Sequence, residues 1–221
     1  MRAGLLACMT TPAQGNVIPD RALYACDNGK FGKGWPGPAA WFSWLQSTAD
    51  RYGRTRCLWA VAPDVPMNAE ATLAESLPWL EPIRSLGLPA AFAAQDGSEH
   101  GLIPWGQFDV LFLAGSTPWK TGPAAQRLAV EAGEHGLAVH MGRVNSRRRL
   151  RIAQAFGCTS CDGTYLAFGP TTNLPRLLAW MNELHTTPTL FGDHTWPPGC
   201  ATSAHRSWGS STPSPPSPPR R

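Results

Sequence analysis

Short apolar runs alternate along this chain with longer segments of helical period. The runs span 4–10, 22–27, 57–64, 90–95, 110–115, 138–141 and 159–162, and each is mostly apolar on both faces. Alternating polarity would mark a half-exposed strand. Unbroken apolarity over four to eight residues between turn formers predicts a strand buried on both sides, as in a parallel sheet. Between the runs, apolar residues at helical spacing predict helices over 39–50, 68–86, 123–136, 146–156 and 173–184, several opening on Ser, Asn or Pro. The pattern is βα repeated along the chain.

Repeated βα units leave two main architectures, an open doubly wound sheet or a closed barrel. The polar residues at the strand ends separate them. Asp27, Asp64, Gln95, Gly115 with Ser116, Gly142 with Arg143, and Asp162 each close a different apolar run. A barrel brings such ends to one mouth, whereas an open sheet concentrates them near one switch point. A compact TIM-type (β/α) barrel is therefore expected. Seven runs rather than eight, in a body of about 190 residues, imply that one strand is missing or irregular.

Composition trims this picture at its ends. From 192 onward the chain is rich in Pro and Ser and closes on Pro218-Pro219-Arg220-Arg221, which predicts a barrel over 1–191 and a disordered tail over 192–221. No apolar run approaches the roughly 18 to 20 residues that span a bilayer, and the start is too short in apolar length for a signal peptide, so a cytoplasmic setting without membrane contact is expected. Six cysteines in a chain with its own Val/Leu/Ala/Phe core read as reduced thiols. The net charge of +4 permits an anionic partner without requiring one.

An Asp that ends a strand is commonly a turn former or helix cap, and Asp27-Asn28-Gly29, Asp64 after Pro63 and Asp162-Gly163 each fit that use taken alone. Their shared placement at strand ends favours a site. Cys158-Thr159-Ser160-Cys161 lies on a predicted strand rather than opening a helix, and a single such pair lacks further zinc ligands, so two core thiols and no metal are expected. Arg143, Arg147, Arg148, Arg149 and Arg151 cluster without an acid among them, at a helix start that suits phosphate or else as a solvated face. The loop 30–38 adds Lys30 and Lys33, and Trp35, Trp105 and Trp119 are placed on the same side, to stack on bases or to cover the barrel.

These segments resemble a known family. Asp27-Asn28-Gly29-Lys30-Phe31-Gly32 is similar to the Asp-Ser-Gly-Gly-Phe segment of tRNA-guanine transglycosylases, and His140-Met141-Gly142-Arg143-Val144 with Gly157 to Asp162 is similar to their last two strands. Ala62-Pro63-Asp64, Ala94-Gln95-Asp96-Gly97 and Leu113-Ala114-Gly115 fall in the same order. The nearest character is that of the DNA-directed branch, the DpdA-like 7-deazaguanine transglycosylases of phages and genomic islands. The resemblance implies exchange of guanine in DNA for a free 7-deazaguanine base, through a covalent Asp–sugar intermediate and without a cofactor. Asp162 would be the nucleophile and Asp27 the general acid/base. Asp64, Gln95, Gly115, Met141 and Gly142 would bind the base, with Asp96 an alternative to Gln95. Arg143, Arg147, Arg148, Lys30 and Lys33 would hold DNA with its nucleotide flipped. A phage or phage-derived origin, partner proteins of a DNA-modification pathway and restriction evasion follow from the resemblance alone. A glycosylase that uses water and a non-catalytic nucleic-acid-binding barrel remain the other readings.

Overall fold

In the computed structural model, the described residues are 6–186. The segment 192–221, expected as a tail, lies outside them. Seven strands form where the apolar runs stand: β1 (Cys8–Thr10), β2 (Tyr24–Cys26), β3 (Cys57–Val61), β4 (Ala90–Ala94), β5 (Val110–Leu113), β6 (Ala138–Met141) and β7 (Ser160–Cys161). They make one sheet in the order β1-β2-β3-β4-β5-β6-β7, every pair parallel. Winding always to the next neighbour is TIM-type; a doubly wound sheet reverses at a switch point.

The sheet also curls. Strands in a sheet lie about 4.8 Å apart, so a flat one would separate β3 from β6 by about 14 Å. Yet the rings of Trp59 on β3 and His140 on β6 are 4.7 Å apart, and both pack on Phe112 of β5, at 5.4 and 4.8 Å. Ala25, Val61, Ala91, Ala93 and Val110 complete this inner layer. Small residues leave room for the two large rings at the centre. Among the described residues β1 pairs only with β2 and β7 only with β6, so no eighth strand closes the curl. The architecture is an α/β fold with a seven-stranded parallel sheet wound in the TIM manner.

The alternate side chains of each strand point to an outer core beneath the helices. Tyr24, Cys26, Ala60, Phe92, Leu111, Leu113 and Met141 are buried there. Helix α1 (Pro38–Tyr52) opens on Pro38 and turns Trp41, Leu45, Thr48 and Ala49 inward at helical spacing. Helix α2 (Ala69–Ser85) is capped by Asn68, whose side chain accepts from Ala71 N at 3.0 Å. Helices α3 (Thr117–Lys120) and α4 (Pro123–Glu134) join β5 to β6, and α5 (Arg147–Ala155), capped by Ser146, joins β6 to β7. Helix α6 (Pro170–Thr186) packs on α5.

Two features differ from expectation. The short α3 was not foreseen, because a single turn is below the length at which apolar periodicity can show. Trp105 does not stand at the mouth: it packs on Phe108, which leads into the amino end of β5, and on His135, which ends α4. No helix among the described residues is long and apolar enough to cross a membrane.

Candidate active site

The carboxyl ends of the strands bring three aspartates together. Asp27 leaves β2 at a turn: its Oδ1 accepts the Gly29 N–H at 2.6 Å, and Gly29 sits at φ 81°, where a side chain would be strained. The turn former expected at 27–29 is therefore real, and it places an acid. Burial pushes the Asp27 carboxyl up to about 6; the Gly29 N–H opposes this, and the carboxylates of Asp64 and Asp162 add to it. In a flat sheet Asp162, five strands along from β2, would lie about 24 Å away and exert little force. The curl brings it within reach.

Asp162 follows β7 and is held from two sides at one oxygen. His140 Nε2 lies 3.1 Å from its Oδ1, and the Arg143 N–H donates to the same atom at 3.2 Å. His140 Nδ1 lies 2.8 Å from Ser160 Oγ. Because a carboxylate only accepts, Nε2–H is the donor to Asp162, while Nδ1 and Ser160 Oγ share a hydrogen bond. Gly142 must lack a side chain here, since a Cβ would meet Phe112 at 2.6 Å and Asp162 Oδ1 at 3.3 Å. Met141 is fully buried in the outer core.

The third acid is placed differently. Asp64 is buried, and both of its oxygens are occupied: Oδ1 accepts from Asn28 Nδ2 at 2.8 Å and Oδ2 from Gln95 Nε2 at 2.6 Å. Gln95 spends its carbonyl on Met67 N–H at 2.9 Å and is 2% exposed. Burial raises the Asp64 carboxyl, against these donors and Lys30. Asp96 holds Ser116 through N–H···Oδ2 at 2.6 Å and Oγ–H···Oδ1 at 2.5 Å. The Gly115 carbonyl accepts Arg143 Nη2 at 2.5 Å, and a Cβ at Gly115 would strike Trp119 and Asp96. These four groups tie neighbouring loops together.

Met67 and Arg143 are both non-glycine residues in the left-handed region, at φ 62° and 58°. Each turns its amide into this network, Met67 to Gln95 and Arg143 to Asp162. Strain of about 1–3 kcal/mol at such residues persists where the surroundings over-determine it.

The basic residues do not form one open surface. Arg143 points inward, donating to the carbonyls of Ala114 and Gly115 with its guanidinium 4.3 Å from the Phe31 ring. Arg147 makes a two-pronged pair with Glu183 at 2.8 and 2.6 Å, Arg151 joins the same carboxylate, and the Glu183 carboxyl falls to about 2 through those contacts. Lys30 pairs with Glu75. Arg148 and Lys33 are exposed. Cys158 and Cys161 are free thiols raised by burial, Cys161 to about 12.

Three groups at the mouth escaped the sequence reading. His140 stands inside an apolar strand and gave no polar signal of its own. Asn28 was absorbed into a turn motif, yet its amide bridges Ala62 O and Asp64 at 2.8 Å each. Lys120, in the unforeseen α3, is fully buried, and its Nζ has no hydrogen-bond partner among the described residues.

No family model and no curated protein matches the chain. Among solved structures it is similar to the Bacillus subtilis YkuI protein, with an EAL domain, in complex with substrate c-di-GMP and calcium: 12% identity, a TM-score of 0.45, and coverage of 75% of this chain and 46% of that one. The chain thus spans about half of that protein's length. The expectation of guanine exchange in DNA is corrected at the site itself, because the groups that were to read the base are engaged within the protein: Asp64 accepts from Asn28 and from the Gln95 amide, and the Gly115 N–H bonds Ala94 O at 3.1 Å.

Proposed function

We propose that the chain is an enzyme whose chemical step is a proton transfer at the mouth of the curled sheet, with Asp27 as general acid/base and Asp162 as its carboxylate counterpart. One observation carries this reading. Each of the two has one oxygen anchored, Asp27 to Gly29 N–H and Asp162 to His140 and Arg143 N–H, while the other oxygen has no donor among the described residues. The structural acids contrast with them: Asp64, Asp96 and Asp109 have both oxygens occupied. An anchored carboxylate with one free oxygen is oriented and still able to accept a proton. A carboxyl at about 6 exchanges its proton near neutral pH, where general acid–base catalysis is most effective.

Asp162 has a second part in this reading. Its negative charge opposes ionisation of Asp27 and so keeps that proton available to a substrate group. A proton delivered by Asp27 leaves it anionic beside Asp162, a state that favours taking the proton back. The test is carboxyl-carbon NMR on the intact chain, with Asp27 assigned from Asp27→Asn. Asp27 should titrate near 6 in the wild type and lower in Asp162→Asn. Titration in the ordinary carboxylate range, with no response to Asp162→Asn, overturns the proposal.

A further inference from the structure

The acid–base reading leaves the cations beside Asp162 unexplained. Lys120 ends the one-turn helix α3 that follows β5: Ser116 caps α3 through its hydroxyl, and Lys120 N–H bonds Ser116 O at 2.9 Å. Its side chain is fully buried with Nζ unpartnered among the described residues. An ammonium in that position has lost water without gaining an acceptor, which is unfavourable. Burial first, with the neighbouring Arg143 and Arg149 adding to it against Asp162 and Asp96, lowers its pKa to about 8. At neutral pH the amine is still mostly charged.

The two guanidiniums come from the adjoining βα unit, Arg143 from the loop after β6 and Arg149 from the first turn of α5. Arg143 reaches across from β6 to bond Ala114 O and Gly115 O, the residues that lead into the turn bearing Lys120. Arg149 in turn donates to Arg143 O at 3.2 Å. Among the described residues only Nη2 of the Arg143 guanidinium is engaged by hydrogen bonds. The acids nearby do not neutralise this group by contact: both oxygens of Asp96 hold Ser116, and Asp162 Oδ1 is held by His140 and Arg143 N–H. Three cations from two neighbouring βα units thus converge, one of them buried and lacking an acceptor among the described residues.

We propose that Lys120, with Arg143 and Arg149, forms the binding site for a phosphoryl group of the substrate. This rests on the acid–base reading for its claim that the ligand is a substrate. A dianionic oxygen cluster supplies several acceptors at once, which matches one ammonium and two guanidiniums better than a single carbonyl would. Because Lys120 has no accessible surface, binding entails movement of the side chains around it. Phe31, 61% exposed and stacked on the Arg143 guanidinium, is one that can yield at small cost.

The sequence makes the test simple, since Lys30, Lys33 and Lys120 are its three lysines. A Lys30→Arg/Lys33→Arg protein labelled with [13Cε]lysine carries a single lysine signal, that of Lys120. Inorganic phosphate and ribose 5-phosphate are titrated at constant ionic strength, with chloride as the control. Saturable movement of that signal, with proton affinity of the amine rising at least tenfold, is expected. Tighter response to ribose 5-phosphate assigns a phosphoester group, and equal response assigns phosphate itself. No response, or one that chloride reproduces, overturns the site. Lys120→Met, followed by calorimetry with the same ligands, should lose the binding, and unchanged binding there also overturns it. Because Asp27 titration is a separate signal, failure here leaves the acid–base reading standing, and the reverse holds as well.

Discussion

A buried carboxyl whose proton is held tightly costs the fold stability at higher pH, and Asp27→Asn measures that cost. The rise of Asp27 from 3.8 to about 6 means that the folded protein holds this proton more tightly than the unfolded chain does. For a raised carboxyl, stability falls as pH climbs from the unfolded value through the folded one. Linkage gives a penalty of about 3 kcal/mol at pH 8, about 1 kcal/mol at pH 4.5, and close to zero at pH 3. Asparagine has nearly the same shape, cannot ionise, and keeps a carbonyl oxygen to accept the Gly29 N–H. The substitution should therefore stabilise the protein by up to about 3 kcal/mol at pH 8 and by about 1 kcal/mol at pH 4.5. Urea unfolding at both pH values reads this directly, provided the slope with denaturant is unchanged. A gain that is the same at both pH values, or a loss at pH 8, would refute the argument that burial and neighbouring carboxylates hold this proton.

Gln95→Glu sets a carboxylate against Asp64 Oδ2, now bonded by Gln95 at 2.6 Å, so the variant should lose about 2–4 kcal/mol at pH 8 and recover as the pH falls and one proton is shared; chemical unfolding across pH checks it. His140→Phe keeps an aromatic ring between Trp59 and Phe112 but strips a donor from Asp162 and a partner from Ser160, for a loss of about 1–3 kcal/mol in urea with near-UV circular dichroism retained. Gly142→Ala drives a methyl into Phe112 and towards Asp162, and should cost about 1–3 kcal/mol by thermal unfolding; a neutral result would mean that the inner layer yields there.

The strands were legible because a fully buried strand has no choice but to be apolar throughout. All seven runs became strands, and the five periodic segments became helices within a few residues at each end. The same property hid the inner layer. In a strand buried on both faces, nothing in the pattern says that Trp59, Phe112 and His140 share one side, or that the sheet bends until they touch. Strand-end acids were legible as a set, and Asp27 and Asp162 do meet electrostatically. Which acids would be consumed by partners was not, because it depends on long-range neighbours such as Asn28, Gln95 and Ser116. Arginine direction was equally illegible. A guanidinium on a flexible three-carbon stem can face solvent or fold back on the main chain, and Arg143 folds back.

The placement of the two acids at the ends of β2 and β7 has a consequence for how the site is assembled. Contacts of such long sequence separation are slow to form, since the loop-closure entropy is spent before they reward it. A half-wound chain could already hold a helix-covered stretch of sheet with Asp27 buried in it, but that carboxyl would lack the part of its rise that comes from Asp162. The last increment would then arrive only with the last turn of the winding, which makes the acidity of one side chain a reporter of completed folding.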